Sequence, residues 1–158
     1  MTREEWITVE DCLTLHEHRE GDVSIVHPVG EVDMATMRPL REMVRRLPDE
    51  GVRFLVFDLR DVSFLDSAGM SVLFGAKKRL DEEHGECYVV TTEDGFVAKT
   101  LHTISIETVM PHLHDPEEAK ADIEQHRQAR AARTAGPIEA VESPFQAPAT
   151  NYSIRDAA

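Results

Sequence analysis

An uninterrupted apolar run, Phe54-Leu55-Val56-Phe57, is the feature that most restricts how this chain can fold. A short continuous run of this kind, bounded by Arg53 and Asp58, is typical of a strand that is covered on both faces and lies inside a sheet. After a turn, a helical pattern begins at Asp66-Ser67. Apolar or small residues then recur on one helical face, namely Gly69, Val72, Leu73, Ala76 and Leu80. A buried strand followed by an amphipathic helix predicts an α/β fold.

Further strands and helices are predicted on both sides of this unit. Residues 11–17 and 23–32 are predicted as two strands of a hairpin, because β-branched residues flank a turn at Glu20-Gly21-Asp22. Residues 36–47 are predicted as a helix with Thr36 as its N-cap, since apolar residues recur at helical spacing. The remaining predicted elements are a buried strand at residues 87–90, a short helix at residues 96–101 and a weak strand at residues 106–110. This order indicates a mixed sheet with helices packed against it.

The amino-acid pattern divides the chain into a lead, a domain and a C-terminal region. Residues 1–10 are expected to be a lead and residues 11–114 the folded domain, since dense apolar patterning ends near Leu113. Residues 115–133 are expected to form a C-terminal helix with Asp115 as its N-cap. The only large aliphatic residue of this helix is Ile123, so we expect it to pack poorly on the domain. Residues 134–158 lack apolar periodicity and are expected to be disordered.

Composition argues against several classes of protein. No stretch approaches the roughly 20 apolar residues that span a bilayer, and the start of the chain lacks the features of a signal peptide. We therefore expect no membrane attachment and a cytoplasmic location. Lys and Arg number 17 against 30 Asp and Glu, and the formal charge of −13 disfavours direct binding to nucleic acid. The two cysteines, Cys12 and Cys87, are too few for a disulfide framework and are expected to be packing residues.

Motifs of enzyme and cofactor chemistry are missing or incomplete. A G-x-S-x-G elbow centred on Ser67 would need glycine where the chain has Leu65, and neither standard glycine-rich phosphate-binding motif is present. We therefore expect no cofactor and no enzymatic activity. Two pairs of histidines have the i, i+2 spacing of neighbours on one strand face, namely His16 with His18 and His112 with His114. No Cys/His motif completes either pair, so a metal site is not expected.

Ser67 has two interpretations from the sequence. An Asp-Ser pair directly before a helix is an N-cap signature, and capping alone explains most such serines. The other interpretation is a functional hydroxyl presented at the amino end of the helix. The wider sequence pattern around Ser67 is what distinguishes the two.

That wider pattern resembles a known family. In residues 54–73, a strand ends in the run D-L-x-x-V-x-F-x-D-S-x-G, which begins a helix, as in STAS-domain anti-sigma-factor antagonists. A second segment, Gly30-Glu31-Val32-Asp33 followed by Thr36 and Pro39, resembles the G-E-[LV]-D segment that this family carries before its first helix. The resemblance covers residues 11–113 and does not extend to the tail.

The resemblance implies a fold and a switch. The implied fold is a STAS-like mixed sheet of four to five strands with helices packed against it. When unphosphorylated, proteins of this kind bind an anti-sigma factor that is also a serine kinase, and a sigma factor is released. Phosphorylation of a serine at the start of the second helix ends this binding, and a metal-dependent serine phosphatase reverses the modification. In this chain the phosphorylated residue would be Ser67.

The resemblance also implies a partner-binding surface at the start of that helix. Its residues would be Asp33, Asp66, Ser67, Ala68, Gly69 and Met70. Two positions depart from the family pattern: Ala68 stands where many members have a second hydroxyl residue, and Ser71 where many have glycine. The alternative function is a non-phosphorylated STAS scaffold, a subunit of a sensory or transport-associated complex. The sequence leaves the oligomeric state open.

Overall fold

The structure is a computed structural model, and it describes residues 2–135. Seven strands occur in this range: β1 (Thr2–Val9), β2 (Leu13–Glu20), β3 (Val23–Val32), β4 (Phe54–Asp58), β5 (Val62–Leu65), β6 (Glu86–Val90) and β7 (His112–Leu113). The described helices are α1 (Met37–Arg46), α2 (Ser67–Glu82), α3 (Phe96–Thr103) and α4 (Pro116–Ala135), with a 3₁₀ turn at Ile106–Thr108. Internal contacts divide the chain into two units, residues 1–123 and residues 124–158, and the described part of the second unit is the end of α4.

The strands form one mixed sheet in the order β1-β2-β3-β4-β6-β7, with β5 paired to β3. β1, β2 and β3 are antiparallel neighbours, whereas the pairs β3-β4, β4-β6, β6-β7 and β3-β5 are parallel. A register shift between Gly30 and Glu31 lies in the part of β3 that pairs with β5. The predicted α/β fold with a mixed sheet is confirmed, but the sheet has seven strands rather than four to five.

Two of the additional strands, β1 and β5, have little apolar pattern of their own. β1 lies in the segment that the sequence predicts to be a lead, and only Ile7 and Val9 pack, partly buried, against the main core. In β5 only the end residues Val62 and Leu65 are buried. Both segments become strands because neighbouring strands pair with their backbone, which is a context that a hydrophobic pattern does not contain.

Helices cover both faces of the sheet. Alternate residues of β4 face opposite clusters, because Leu55 belongs to the main core, to which α1, α2 and α3 contribute, and Val56 belongs to a second cluster. α4 contributes Ala119 and Ile123 to the second cluster, and both side chains are buried. The predicted C-terminal helix is therefore present, but the expectation that it packs poorly is wrong up to Ile123. A small residue followed one turn later by an aliphatic one is enough to cover the sheet there.

The weak strand predicted at residues 106–110 is wrong. This segment begins with the 3₁₀ turn Ile106–Thr108, and within the segment Ile106 and Met110 are both buried. A spacing of four residues fits a helical turn as well as a strand. Thr108 would share the buried face in a strand, and it is exposed. The last strand, β7, comes later in the chain.

The two cysteines have different environments. Cys87 is buried in β6, as predicted, and burial raises the pKa of its thiol. Cys12 is exposed, so its expected role as a packing residue is wrong. It lies in the turn between β1 and β2, where the side chain has no core to face.

The C-terminal tail predicted to be disordered, residues 134–158, lies outside the described residues except for its first two, which end α4. Over the part of the chain that the structure describes, none of the helices combines the length and apolarity needed to cross a bilayer.

Candidate functional site

Ser67 is the first residue of α2, and its side chain is exposed. The N-cap is not Ser67 but Asp66, which has an extended backbone with φ −99° and ψ −175°. Oδ1 of Asp66 accepts the backbone N–H of Gly69 at 2.9 Å. Within residues 2–135 the hydroxyl of Ser67 makes no hydrogen bond. Capping therefore does not account for Ser67, since its neighbour performs that role.

Asp66 also ties α2 to the loop that follows β3. Its second carboxylate oxygen, Oδ2, accepts the backbone N–H of Met34 at 3.1 Å. Its own backbone N–H donates to the carbonyl of Val32 at 3.3 Å. The carboxylate is thus held between a helix amino terminus and a loop by two backbone N–H donors.

Asp33 organises the same loop from the other side. Its Oδ1 accepts the backbone N–H groups of Ala35 at 2.9 Å and Thr36 at 3.1 Å. Thr36 is the N-cap residue of α1, as predicted, but its side chain makes no capping bond, because its hydroxyl donates to the carbonyl of Glu31 at 2.7 Å. Thr36 is buried, and its hydroxyl satisfies a backbone carbonyl near the end of β3. Asp33 and Asp66 therefore fix the shape of the surface beside Ser67.

The other residues of the predicted partner-binding surface differ in exposure. Ala68 and Met70 are half-buried, and Met70 packs against the main core. Gly69 is buried, and a Cβ atom there would lie 2.6 Å from Cδ1 of Leu65 and 2.7 Å from the carbonyl oxygen of Val32. Gly69 thus permits the close approach of α2 to the sheet, which is a reason for glycine that does not involve a partner.

Three exposed apolar side chains, Met34, Phe64 and Phe96, adjoin this site, and we call them the apolar rim. Their exposed fractions are 77% for Met34, 40% for Phe64 and 57% for Phe96. Met34 is bonded to Asp66 through its backbone, and Phe64 lies in β5 just before Asp66. Phe96 begins α3 and stacks on Phe64 with ring centroids 6.0 Å apart. Aromatic and methionine side chains grouped at a surface are typical of protein interfaces.

The apolar rim was not derivable from the sequence signals used above. Phe64 occupies the x-F-x position of the motif, but its neighbour Phe96 comes more than 30 residues later. Apolar residues are ordinarily assigned to a core, and only the exposure of these three marks them as a surface.

The predicted histidine pairs lie apart from Ser67. His16 and His18 both contact the carboxylate of Glu4. These hydrogen bonds lower the pKa of Glu4, and the bond with His18 has the larger effect. His112 hydrogen-bonds the hydroxyl of Thr91 at 2.7 Å, and burial lowers its pKa. No group of three or more His, Cys, Asp or Glu within residues 2–135 is arranged to hold a metal ion.

The Ser67 hydroxyl is accessible from solvent but is not arranged as an activated catalytic nucleophile. An activated serine is hydrogen-bonded to a general base, usually histidine. In the described chain Ser67 has no such partner. The arrangement of an exposed hydroxyl, two fixed carboxylates and the apolar rim suits recognition by another protein.

Comparison with known proteins agrees with this architecture. The family model described as STAS domain matches residues 16–119. The anti-sigma-B factor antagonist of Staphylococcus aureus (strain NCTC 8325 / PS 47) is 31% identical over 65 residues, which are 41% of this chain and 60% of that protein, so the match spans less than two thirds of the relative. The anti-sigma F factor antagonist of Paenibacillus polymyxa is 29% identical over 113 residues, covering 68% of this chain and 92% of that protein.

Solved structures share the fold. An anti-sigma factor antagonist from Mycobacterium paratuberculosis superposes with a TM-score of 0.65 at 24% identity, covering 75% of this chain and 99% of the other. The anti-sigma factor antagonist SpoIIAA in its unphosphorylated form gives a TM-score of 0.58 at 16% identity, covering 78% of this chain and 97% of the other. At these identities the likeness establishes the fold alone.

Proposed function

The chain belongs to the STAS domain family, and on that premise we propose that it is an anti-sigma-factor antagonist switched at Ser67. In this proposal the unphosphorylated protein binds an anti-sigma factor that is also a serine kinase, and this binding releases a sigma factor. The protein itself carries out no catalysis. It acts in the cytoplasm and makes no direct contact with DNA, in keeping with its formal charge of −13.

The observation that carries the proposal is the position of Ser67. It is exposed in the first turn of α2, and its hydroxyl is not used for capping, since Asp66 caps the helix. The apolar rim beside it supplies surface that a partner can bury. The named relatives, anti-sigma factor antagonists, supply the class of partner.

Phosphorylation of Ser67 is proposed to end the interaction. The kinase transfers the terminal phosphoryl group of ATP to Oγ of Ser67, the hydroxyl proton is lost and ADP leaves. The product carries about −1.5 to −2 additional charges at neutral pH. In the free protein, water and the unpaired N–H groups at the start of α2 stabilise the phosphate.

The complex has no equivalent means of stabilising the phosphate. A bound partner would remove water from the phosphate, which lies next to the carboxylate of Asp66. The residues that adjoin Asp66, the exposed Met34 and Phe64, offer no compensating positive charge. Desolvating an unpaired charge is costly, so the phosphorylated protein dissociates. A metal-dependent serine phosphatase, which hydrolyses the phosphate ester with water, then restores the binding form.

The test is site-resolved phosphorylation. The full chain is incubated with candidate anti-sigma kinases and Mg-ATP, and the labelled residue is identified by mass spectrometry. Phosphate on Ser67, absent from Ser67→Ala and retained in Ser71→Ala, supports the proposal. A stable complex without phosphate on Ser67, or phosphate on Ser71 instead, contradicts the switch and supports the scaffold function.

A further inference from the structure

A groove between α1 and α2 combines an apolar floor with arginine side chains. Its volume is about 280 Å³. The residues lining it are Arg41, Val44 and Arg45 of α1, and Ser71, Val72, Gly75, Ala76 and Arg79 of α2. The candidate site at Ser67 does not use this groove, which lies between α1 and α2 and not at the helix start that holds Ser67.

The charge of the groove is opposite to that of the chain. α1 carries four arginines and one glutamate, whereas the chain has a formal charge of −13. Arg79 pairs with Asp49 at 2.5 Å. Among residues 2–135, Arg41 and Arg45 have no acidic partner, unlike Arg38 and Arg46 on the same helix. Two unneutralised guanidinium groups therefore face one concave surface.

Gly75 provides a second, independent observation. It lies in the interior of α2, where glycine is unfavourable relative to alanine because it loses more conformational freedom on folding. Gly69 in the same helix is explained by packing, since a Cβ there would clash with Val32 and Leu65. A Cβ at Gly75 would meet nothing within 4 Å. The fold itself gives no reason for glycine at position 75, and its effect is to leave the groove open.

From these features we propose that the groove is a docking site for an acidic segment of a partner protein, with carboxylates flanking an aliphatic side chain. Guanidinium groups match carboxylates in a planar, bidentate geometry. The floor of Val44, Val72 and Ala76 suits the aliphatic side chain. The volume of the groove, about 280 Å³, lies just below the roughly 300–1,000 Å³ of typical small-molecule pockets. The groove therefore accommodates one or two side chains.

The groove is also placed to extend a protein interface. Ser67, Ser71 and Gly75 follow one another at intervals of four residues and share one face of α2. A partner that covers the start of α2 can continue along this face into the groove. The inference goes beyond the proposed function, because it requires a protein with an acidic segment and does not depend on phosphorylation or on the identity of the partner.

The test uses the full chain and two synthetic peptides, Asp-Glu-Leu-Glu-Asp and its counterpart with lysine at every acidic position. Binding is followed by NMR at low salt through the backbone amides. We expect the acidic peptide to shift the amides of Ser71, Gly75 and Ala76, and to bind about tenfold more tightly than the lysine peptide, equivalent to about 1.4 kcal/mol.

Three variants locate the site. Arg41→Glu is expected to abolish the preference for the acidic peptide, whereas Lys78→Glu makes the same change in net charge outside the groove and is expected to leave it intact. Gly75→Gln replaces glycine with a better helix former, so it is expected to raise Tm by about 2–4 °C. The new side chain also fills the groove, so peptide binding is expected to weaken. A variant that is more stable but binds more weakly shows that the loss of binding comes from the filled groove and not from a destabilised protein.

Several results would overturn the inference. These are an absence of shifts with the acidic peptide, equal binding of the two peptides, shifts confined to another surface, or the same loss of binding in Lys78→Glu as in Arg41→Glu. Displacement of the peptide by millimolar inorganic phosphate with identical amide shifts would also overturn it, since the groove would then be a general anion site.

Discussion

The backbone N–H of Met34 donates a hydrogen bond to Oδ2 of Asp66 at 3.1 Å, and this bond joins the loop before α1 to the first turn of α2. The other oxygen of Asp66 caps α2 through Gly69. One carboxylate thus positions both the helix start that presents Ser67 and the loop that presents the exposed Met34 side chain. The geometry of the candidate site depends on this residue.

Replacing Asp66 with alanine tests that dependence. Asp66→Ala removes the cap of α2 and the bond from Met34, and loss of an N-cap together with a hydrogen bond is expected to lower the free energy of unfolding by about 1–2 kcal/mol. Urea denaturation measures this loss. Asp66→Asn is the control, since its amide oxygen still accepts one N–H and the loss should be smaller. Equal stability of Asp66→Ala and the parent would contradict the assignment.

Gly69 and Gly75 form a matched pair within α2. Gly69→Ala places a Cβ at 2.6–2.7 Å from Leu65 and the Val32 carbonyl, and this overpacking is expected to lower stability by about 1–3 kcal/mol. Gly75→Ala places a Cβ in open space, so the better helix propensity of alanine is expected to raise stability by about 0.5–1 kcal/mol. Thermal unfolding of both variants distinguishes the signs. Changes of the same sign would refute the packing argument.

The switch is tested by charge at position 67. Ser67→Asp is expected to keep the secondary structure of the parent, because an acid at a helix start is favourable, and to weaken capture of the anti-sigma factor by about a hundredfold through desolvation in the interface. Ser67→Ala removes the hydroxyl without charge and is expected to bind like the parent. Circular dichroism and calorimetric titration measure the two properties. If Ser67→Asp binds as tightly as Ser67→Ala, charge at this position is not the switch.

The apolar rim is tested by truncation. Phe64 is 40% exposed and makes its ring contact with Phe96 at the surface, so Phe64→Ala is expected to fold and to weaken partner binding by about 1–2 kcal/mol. Val109 has a similar exposure of 38% but lies outside the rim, and Val109→Ala serves as the control. Affinities of both variants relative to the parent decide the matter, and equal losses would show that the rim has no special part in binding.

Because Asp58 and Arg60 form an ion pair, we expect the free energy of unfolding to depend on pH in the acidic range. Burial of Asp58 would raise its pKa, but hydrogen bonds from Arg60 at 2.8 and 2.9 Å hold that pKa below the ordinary value of 3.8. The pair therefore stabilises the fold above about pH 4, and this contribution disappears as the pH falls through the lowered pKa.

Arg60→Ala measures the contribution of this pair. Since Arg60 is partly exposed, the variant is expected to lose about 0.5–1 kcal/mol at pH 7 relative to the parent. The difference should shrink toward zero as the pH falls through the lowered pKa of Asp58, because the carboxyl group is then protonated in both proteins. Urea midpoints at several pH values provide the measurement. A difference that does not change with pH would mean that Arg60 acts through packing alone.

Local patterns in the sequence determined the elements that carry the site. The apolar run of β4 requires cover on both faces, and the 3.6-residue periodicity after Asp66 requires a helix with one buried side. These signals depend only on residues close together in the chain. For this reason β4, α2 and the location of Ser67 at a helix start were predictable from the sequence. The roles of the site residues in phosphorylation and partner binding stay predictions.

Tertiary structure decided which residues share a surface. Met34, Phe64 and Phe96 come from a loop, a strand and a helix that are far apart in the chain. β5 pairs with β3, the rings of Phe64 and Phe96 stack, and the backbone of Met34 bonds to Asp66, which directly follows β5. The groove of Arg41 and Arg45 likewise exists only because α1 lies next to α2. The periodicity of apolar residues shows which side of a single helix or strand is buried. It does not show which exposed side chains of different elements lie close together. The neighbours of an exposed side chain are set by strand order, register and helix packing, which arise from long-range contacts.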